Sequence, residues 1–162
     1  MNFADLKQSV QEIISRLCYI TIATTNDDGT PWISPVYFNF DEECNLYWVS
    51  YKDAIHSCNI ARMNKASISI YDSTVPVWEG DGVYLQCDVY ELEDHDQIAS
   101  AIEAYYGGRH SPHEMDRKNV SDYINDNPLR MYKAVPTEIT TLSDGYLLDG
   151  YHVDKRIPAE KD

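Results

Sequence analysis

From Tyr19 to Asp72 the apolar positions follow two periods in turn, and their order sets the expected architecture. Tyr19 to Thr25 alternates, with Ile20 and Ile22 on one side and Thr21 and Ala23 on the other, and it is rich in β-branched residues. Asn26 to Thr30 is a turn in which Gly29 takes the positive φ. Ile33 to Phe40 resumes the alternation, with Val36, Phe38 and Phe40 on one face. A second turn, Asp41 to Asn45, leads into a third strand, Leu46 to Tyr51. The period then changes. Ala54 to Met63 reads as a helix with Ile55, Cys58, Ile60 and Met63 as its apolar stripe and Asp53 as its N-cap. Ala66 to Tyr71 returns to period two. The expectation is a β-meander, a helix packed across one end, and a strand that rejoins the sheet.

The flanking segments extend this plan. Residues 3–17 place Leu6, Val10, Ile13, Ile14 and Leu17 on one helical stripe, expected to cover one mouth of a barrel. Pro76 and Gly80-Asp81-Gly82 mark a loop that contains Trp78. Gly82 to Leu92 alternates cleanly, with Val83, Leu85, Cys87 and Val89 facing a core. Asp94 to Tyr106 reads as a capped helix stopped by Gly107-Gly108, and Met115 to Asn125 as a third helix ending before Pro128. Arg130 to Leu142 is a long strand with a bulge expected at Pro136. The tail, residues 144–162, either forms a last hairpin or crosses to a partner subunit. The division expected is one domain: N-terminal helix 3–17, barrel core 18–92 plus 130–143, helical insert 94–126, and tail.

Composition narrows the function classes. The chain has 162 residues, 43% of them hydrophobic, which gives one domain room for a core. Thirteen tyrosines against three phenylalanines suit half-buried sheets, pocket walls and subunit contacts. A net charge of −14 argues against nucleic acid and anionic membrane surfaces as partners. Cys18, Cys44, Cys58 and Cys87 show no C-x-x-C spacing and are expected to be free thiols in a reducing cytoplasm. The N-terminus lacks a signal peptide's basic region, and no apolar run approaches the roughly 20 residues of a membrane span. A cytoplasmic location is expected.

Charge placement supplies the candidate chemistry. Residues 52–71 hold Lys52, Arg62 and Lys65 against Asp53 alone, three positive less one negative, or +2 in an acidic chain. Beside the N-terminus of the expected helix, with its open N–H groups and positive dipole end, this is a candidate anion site; the alternative is a solvated helix face. His110 and His113 form an H-x-x-H with no evident third ligand, so no metal is expected. No G-x-S-x-G, phosphate-binding glycine loop or distinctive carboxylate pair occurs, and no general acid or base stands out.

Three segments carry a resemblance: IATTNDDGTPWISPVYF, then LYWVSYKDAIHSCNIARMNKASISIYD, then GDGVYLQCDVYEL. In this order they resemble the pyridoxamine 5′-phosphate oxidase-like family, whose members show an A-T-x-x-x-D-G-x-P opening, an S-P-V-x-F strand and a helix ending N-L-x-x-N. The likeness covers residues 17–92. It implies a mainly β fold: an antiparallel split β-barrel of the FMN-binding type with flanking helices. It also implies a homodimer with the cofactor site at the interface, and an FMN-dependent oxidoreductase acting on an unassigned small-molecule substrate. By resemblance, Lys52, His56 and Asn59 lie on the phosphate side. Ser34, Pro35, Val36, Tyr37, Val49, Ser50 and Tyr51 lie on the ring side, and Trp78 reaches in from the other subunit. Ala54 and His56 stand where the family commonly carries S-x-K, a departure at the phosphate. Two alternatives stay open: a flavin- or haem-binding protein without turnover, acting in storage or sensing, and a ligand-free structural dimer.

Overall fold

The alternating runs become strands in a computed structural model that describes residues 1–76, 80–108, 117–142, 146–149, 151–153 and 155–161. The strands are β1 (Tyr19–Thr25), β2 (Pro31–Tyr37), β3 (Asn39–Phe40), β4 (Leu46–Tyr51), β5 (Lys65–Tyr71), β6 (Gly82–Glu91), β7 (Leu129–Leu142), β8 (Tyr146–Leu148), β9 (Tyr151–Val153) and β10 (Arg156–Pro158). The helices are α1 (Gln8–Arg16), α2 (Ile55–Arg62) and α3 (His95–Gly107). Eight strands form one sheet in the order β2-β1-β5-β6-β7-β4-β3, with β10 on β7. Every pairing in it is antiparallel, so the expected mainly β, split-barrel fold is the fold observed.

Alternation places one face of each strand inside. Ile20, Ile22, Ile68, Ile70, Val83, Leu85, Cys87 and Val89 join Phe38, Leu46, Trp48 and Tyr132 in a single core. Trp48 is wholly buried and stacks on Tyr132 with ring centroids 5.5 Å apart. Its indole N–H has no acceptor among the described residues. The stripe of α1 seals this core through Val10, Ile13 and Ile14, as its period predicts. A second cluster fills the other face of β4 and β7, where Tyr47 and Met131 meet Ile98, Ala101, Ile102 and Tyr105 of α3. The Asp94 side chain caps α3 by accepting from the N–H groups of Asp96 and Gln97.

Several expectations need correction. The strand expected over Ile33 to Phe40 is two strands: Tyr37 is the last residue paired with β1, Phe38 donates its N–H to Cys18 O at 3.1 Å, and Asn39 and Phe40 pair with β4 instead. Ala54, not Asp53, is the N-cap of α2, and no side chain caps it. Of the four residues expected on the buried stripe of α2, only Ile60 is buried; Ile55 is 45% and Met63 44% exposed, and Cys58 is exposed. The face turned inward is polar instead: His56, Ser57 and Asn59. Within the expected third helix, the described residues form a short 3-10 turn, Val120–Tyr123. Its hydrogen-bonding polar side chains, Asn119 and Asp122, favour a capped turn over propagation. The bulge does lie beside Pro136: the register passes from Gln86 opposite Glu138 to Cys87 opposite Pro136. The tail forms a β8–β9 hairpin and then returns as β10. Trp78, His110 and His113 lie outside the described residues.

Replacing Asp94 with Ala removes both capping bonds of α3. The expected cost is about 1 kcal/mol, or a fall of ~2–4 °C in Tm, measurable by circular dichroism. An unchanged Tm would show that packing alone holds the first turn of α3.

Candidate functional site

The sheet order leaves a gap. Among the described residues β2 pairs only with β1, and its other edge has no ladder partner. β4 pairs with β7 along its length, but the two-residue β3 covers only Leu46 and Tyr47 on its far side. Residues 48–51 of β4 therefore face β2 without a backbone ladder. Helix α2 sits across this opening, and the seam is closed by side chains. His56 reaches both edges: Nδ1 lies 3.2 Å from Ser34 Oγ on β2, and Nε2 lies 2.8 Å from Ser50 Oγ on β4. One turn later, Asn59 Nδ2 donates to Thr24 Oγ1 at 3.1 Å and to Asn26 Oδ1 at 2.9 Å, tying α2 to the end of β1.

The period of α2 explains this placement. His56, Asn59 and Ile60 fall at i, i+3 and i+4, on one face. That face meets the polar ends of the strands, where Thr24, Ser34 and Ser50 point inward. A buried imidazole needs both nitrogens satisfied, and the two serines satisfy them. His56 is only 7% exposed, and burial lowers its pKa below the ordinary 6.5. It is a neutral imidazole at pH 7.

The mouth of α2 has the donors of an anion site. The N–H groups of Ile55, His56 and Ser57 have no acceptor among the described residues, as the first turn of a helix without a capping side chain dictates. Lys52 lies three residues before Ile55; its N–H donates to Pro128 O at 2.9 Å and its side chain is exposed. The positive island seen in the sequence shrinks here. Arg62 pairs with Asp27 and donates to Thr25 O, and Lys65 pairs with Asp88. Lys52 is the one cation of the three without an ion pair among the described residues.

The other sequence-predicted residues divide between two faces. Ser34, His56 and Ser50 come together through hydrogen bonds, and Asn59 joins Thr24 and Asn26 one turn on. Tyr51 and Lys52 are exposed at the end of β4 and just after it, with no hydrogen bond to these three among the described residues. Val36 points into the main core. Pro35 faces outward from β2. Tyr37 and Val49 pack against the second cluster, with the Tyr37 ring edge-on to Tyr105 at 5.8 Å. The Tyr37 hydroxyl is buried without a partner among the described residues, and burial, then the neighbouring Cys18 and Tyr19, raises its pKa. Trp32 was missed: its Nε1 donates to Ser34 Oγ at 3.0 Å. The available signal was its position two residues before Ser34 on the same strand face. A cleft of about 780 Å³ lies elsewhere, lined by Tyr47, Leu92, Asp94 and Lys133 among others. Among the described residues no three His, Cys, Asp or Glu side chains group as metal ligands, and no helix is long and apolar enough to cross a membrane. All four cysteines are free, and burial pushes the thiols of Cys44 and Cys87 up to about 11 and about 12.

Because folding holds the His56 pKa below its unfolded value, its contribution to stability is present above pH 6.5 and is lost as pH falls through the folded pKa. Thermal melts of the parent and of His56→Gln therefore differ more at pH 7.5 than at pH 5. A difference that grows on acidification would mean that the imidazolium is the form the fold favours.

Comparison with known proteins places the fold. Solved structures that share it include the following three. A putative 5-nitroimidazole antibiotic resistance protein from Bacteroides thetaiotaomicron superposes with a TM-score of 0.67 at 16% identity, over 83% of this chain and 82% of that one. HutZ, the haem storage protein from Vibrio cholerae, gives 0.66 at 15% identity over 83% and 92%. An FAD-binding protein from Mesorhizobium loti gives 0.61 at 12% identity over 82% and 91%. No curated protein matches the sequence. The sequence profile of the pyridoxamine 5′-phosphate oxidase family matches residues 6–142, from before α1 to the end of β7, and the chain belongs to that family.

Proposed function

We propose that the protein is an FMN-dependent oxidoreductase that binds the cofactor at the mouth of α2. One observation carries this reading: the uncapped start of α2 leaves three N–H groups open, and Lys52, three residues before the helix, is exposed and without an ion pair among the described residues. A phosphate dianion matches that donor set through hydrogen bonds, charge and the helix dipole. In this reading Lys52 and the backbone of Ile55, His56 and Ser57 hold the phosphate. Asn59 fixes the helix that presents them. The ring lies toward Ser34, Ser50 and Tyr51, with Pro35, Val36, Tyr37 and Val49 shaping the two strands behind it. Bound FMN supplies the hydride and electron chemistry, and the protein supplies position and electrostatics.

A second copy of the chain completes the site in this proposal. Ile33, Tyr51 and Ile55 are 67%, 61% and 45% exposed around the opening, apolar area suited to a homodimer contact. Trp78 of the other subunit would reach in across it. The haem alternative, which the fold shared with a haem storage protein keeps in view, has less support at this seam. Both nitrogens of His56 are engaged, so neither is free to bind iron.

Lys52→Ala is expected to weaken FMN about ten- to a hundred-fold while leaving riboflavin, which lacks the phosphate, nearly unchanged. Fluorescence titration of both ligands measures it. Equal losses for the two would remove Lys52 from the phosphate. Bleaching of the bound flavin by NADH or NADPH separates an oxidoreductase from a storage protein.

A further inference from the structure

Four side chains across the seam form one hydrogen-bonded chain. Trp32 Nε1–H donates to Ser34 Oγ at 3.0 Å, Ser34 Oγ lies 3.2 Å from His56 Nδ1, and His56 Nε2 lies 2.8 Å from Ser50 Oγ. Counting hydrogens limits what this chain can present to a ligand. A neutral imidazole carries one N–H and one bare nitrogen. With the hydrogen on Nε2, the ring donates to Ser50 and accepts from the Ser34 hydroxyl, so only the Ser50 O–H is left over. With the hydrogen on Nδ1, the ring donates to Ser34 and accepts from Ser50. Ser34 Oγ then accepts twice, from Trp32 and His56, and its own O–H is left over. Each tautomer frees one hydroxyl hydrogen, on opposite sides of the seam.

We propose that His56 is a positioning residue whose tautomer decides whether Ser34 or Ser50 offers its hydroxyl to the bound ligand, so that the seam selects a heteroaromatic edge carrying a hydrogen-bond acceptor. The inference rests on the flavin reading for the identity of that edge. It differs from a phosphate role, because both imidazole nitrogens are spent on the two serines. It also goes beyond a structural clasp. A clasp requires only that both bonds exist, whereas a positioning role requires the ligand to choose between two arrangements of equal bond count. Trp32 anchors the Ser34 end, holding its oxygen as an acceptor in both states.

Nitrogen-15 NMR of histidine-labelled protein at pH 7.5 reads the tautomer, with riboflavin and FMN as probes. Saturation with either flavin is expected to drive His56 to a single tautomer, the same for both. The serine freed in that tautomer, replaced by Ala, is expected to weaken riboflavin and FMN alike by about tenfold. In a His56→Gln background the same replacement is expected to cost less than about twofold, the non-additivity of a shared network. A tautomer ratio unchanged by saturating flavin overturns the proposal, and this measurement needs no variant to fold. Additive losses in the double variant overturn it as well. A parent that binds neither flavin overturns the flavin reading together with this inference; flavin binding with an indifferent His56 overturns this inference alone.

Discussion

The Ser34–His56–Ser50 bridge closes the barrel where the backbone cannot. An antiparallel sheet ordered β2-β1-β5-β6-β7-β4-β3 ends with two edges that curl toward each other but share no ladder. Unpaired edges are costly when buried and adhesive when exposed. Here a helix covers the opening and turns three polar residues inward. The His56 imidazole spans two strands, the Asn59 amide holds a strand end, and the Ser57 hydroxyl is buried without a hydrogen-bond partner among the described residues.

This constraint shapes everything at the mouth. Because α2 spends its polar face inward, Ile55 and Met63 are left exposed, as are Ile33 on β2 and Tyr51 on β4. Because Ala54 precedes the helix, the first N–H groups are left without a side-chain cap. The same arrangement that closes the core thus leaves exposed apolar residues together with a set of open donors. Such a combination suits a ligand with an anionic end and a flat body, held where two subunits meet. The pairing of Arg62 with Asp27 and of Lys65 with Asp88 leaves Lys52 as the one of the three without an ion pair among the described residues, and so as the proposed counterion.

Much of the fold was legible because period-two patterning is strong wherever one face is buried. Val83, Leu85, Cys87 and Val89 read as a core face and form one. The Asp94 cap, the Gly29 turn and the bulge at Pro136 follow from local chemistry that tertiary contacts do not override. Helix α2 was misread for the opposite reason. Ile55, Cys58 and Met63 are exposed, and of the expected stripe Ile60 alone is buried, because the inner face meets serine, threonine and asparagine on the strand ends; no one-dimensional pattern reports what a helix will pack against. The positive island was overcounted for a related reason. Asp27 and Asp88 lie far from it in sequence and are brought beside it by the sheet. The family resemblance carried the fold; the pairing of His56 with Ser34 and Ser50 required three dimensions, since those residues come from β2, β4 and α2.

The most direct measurement is a map of backbone amide shifts in the parent protein as FMN is added. The account predicts that the largest changes fall on Ile55, His56 and Ser57, with Ser34 and Ser50 next, and that riboflavin moves the two serines but not the start of α2. Changes centred instead on Leu92, Asp94 and Lys133 would place the ligand in the cleft beside α3 and contradict it.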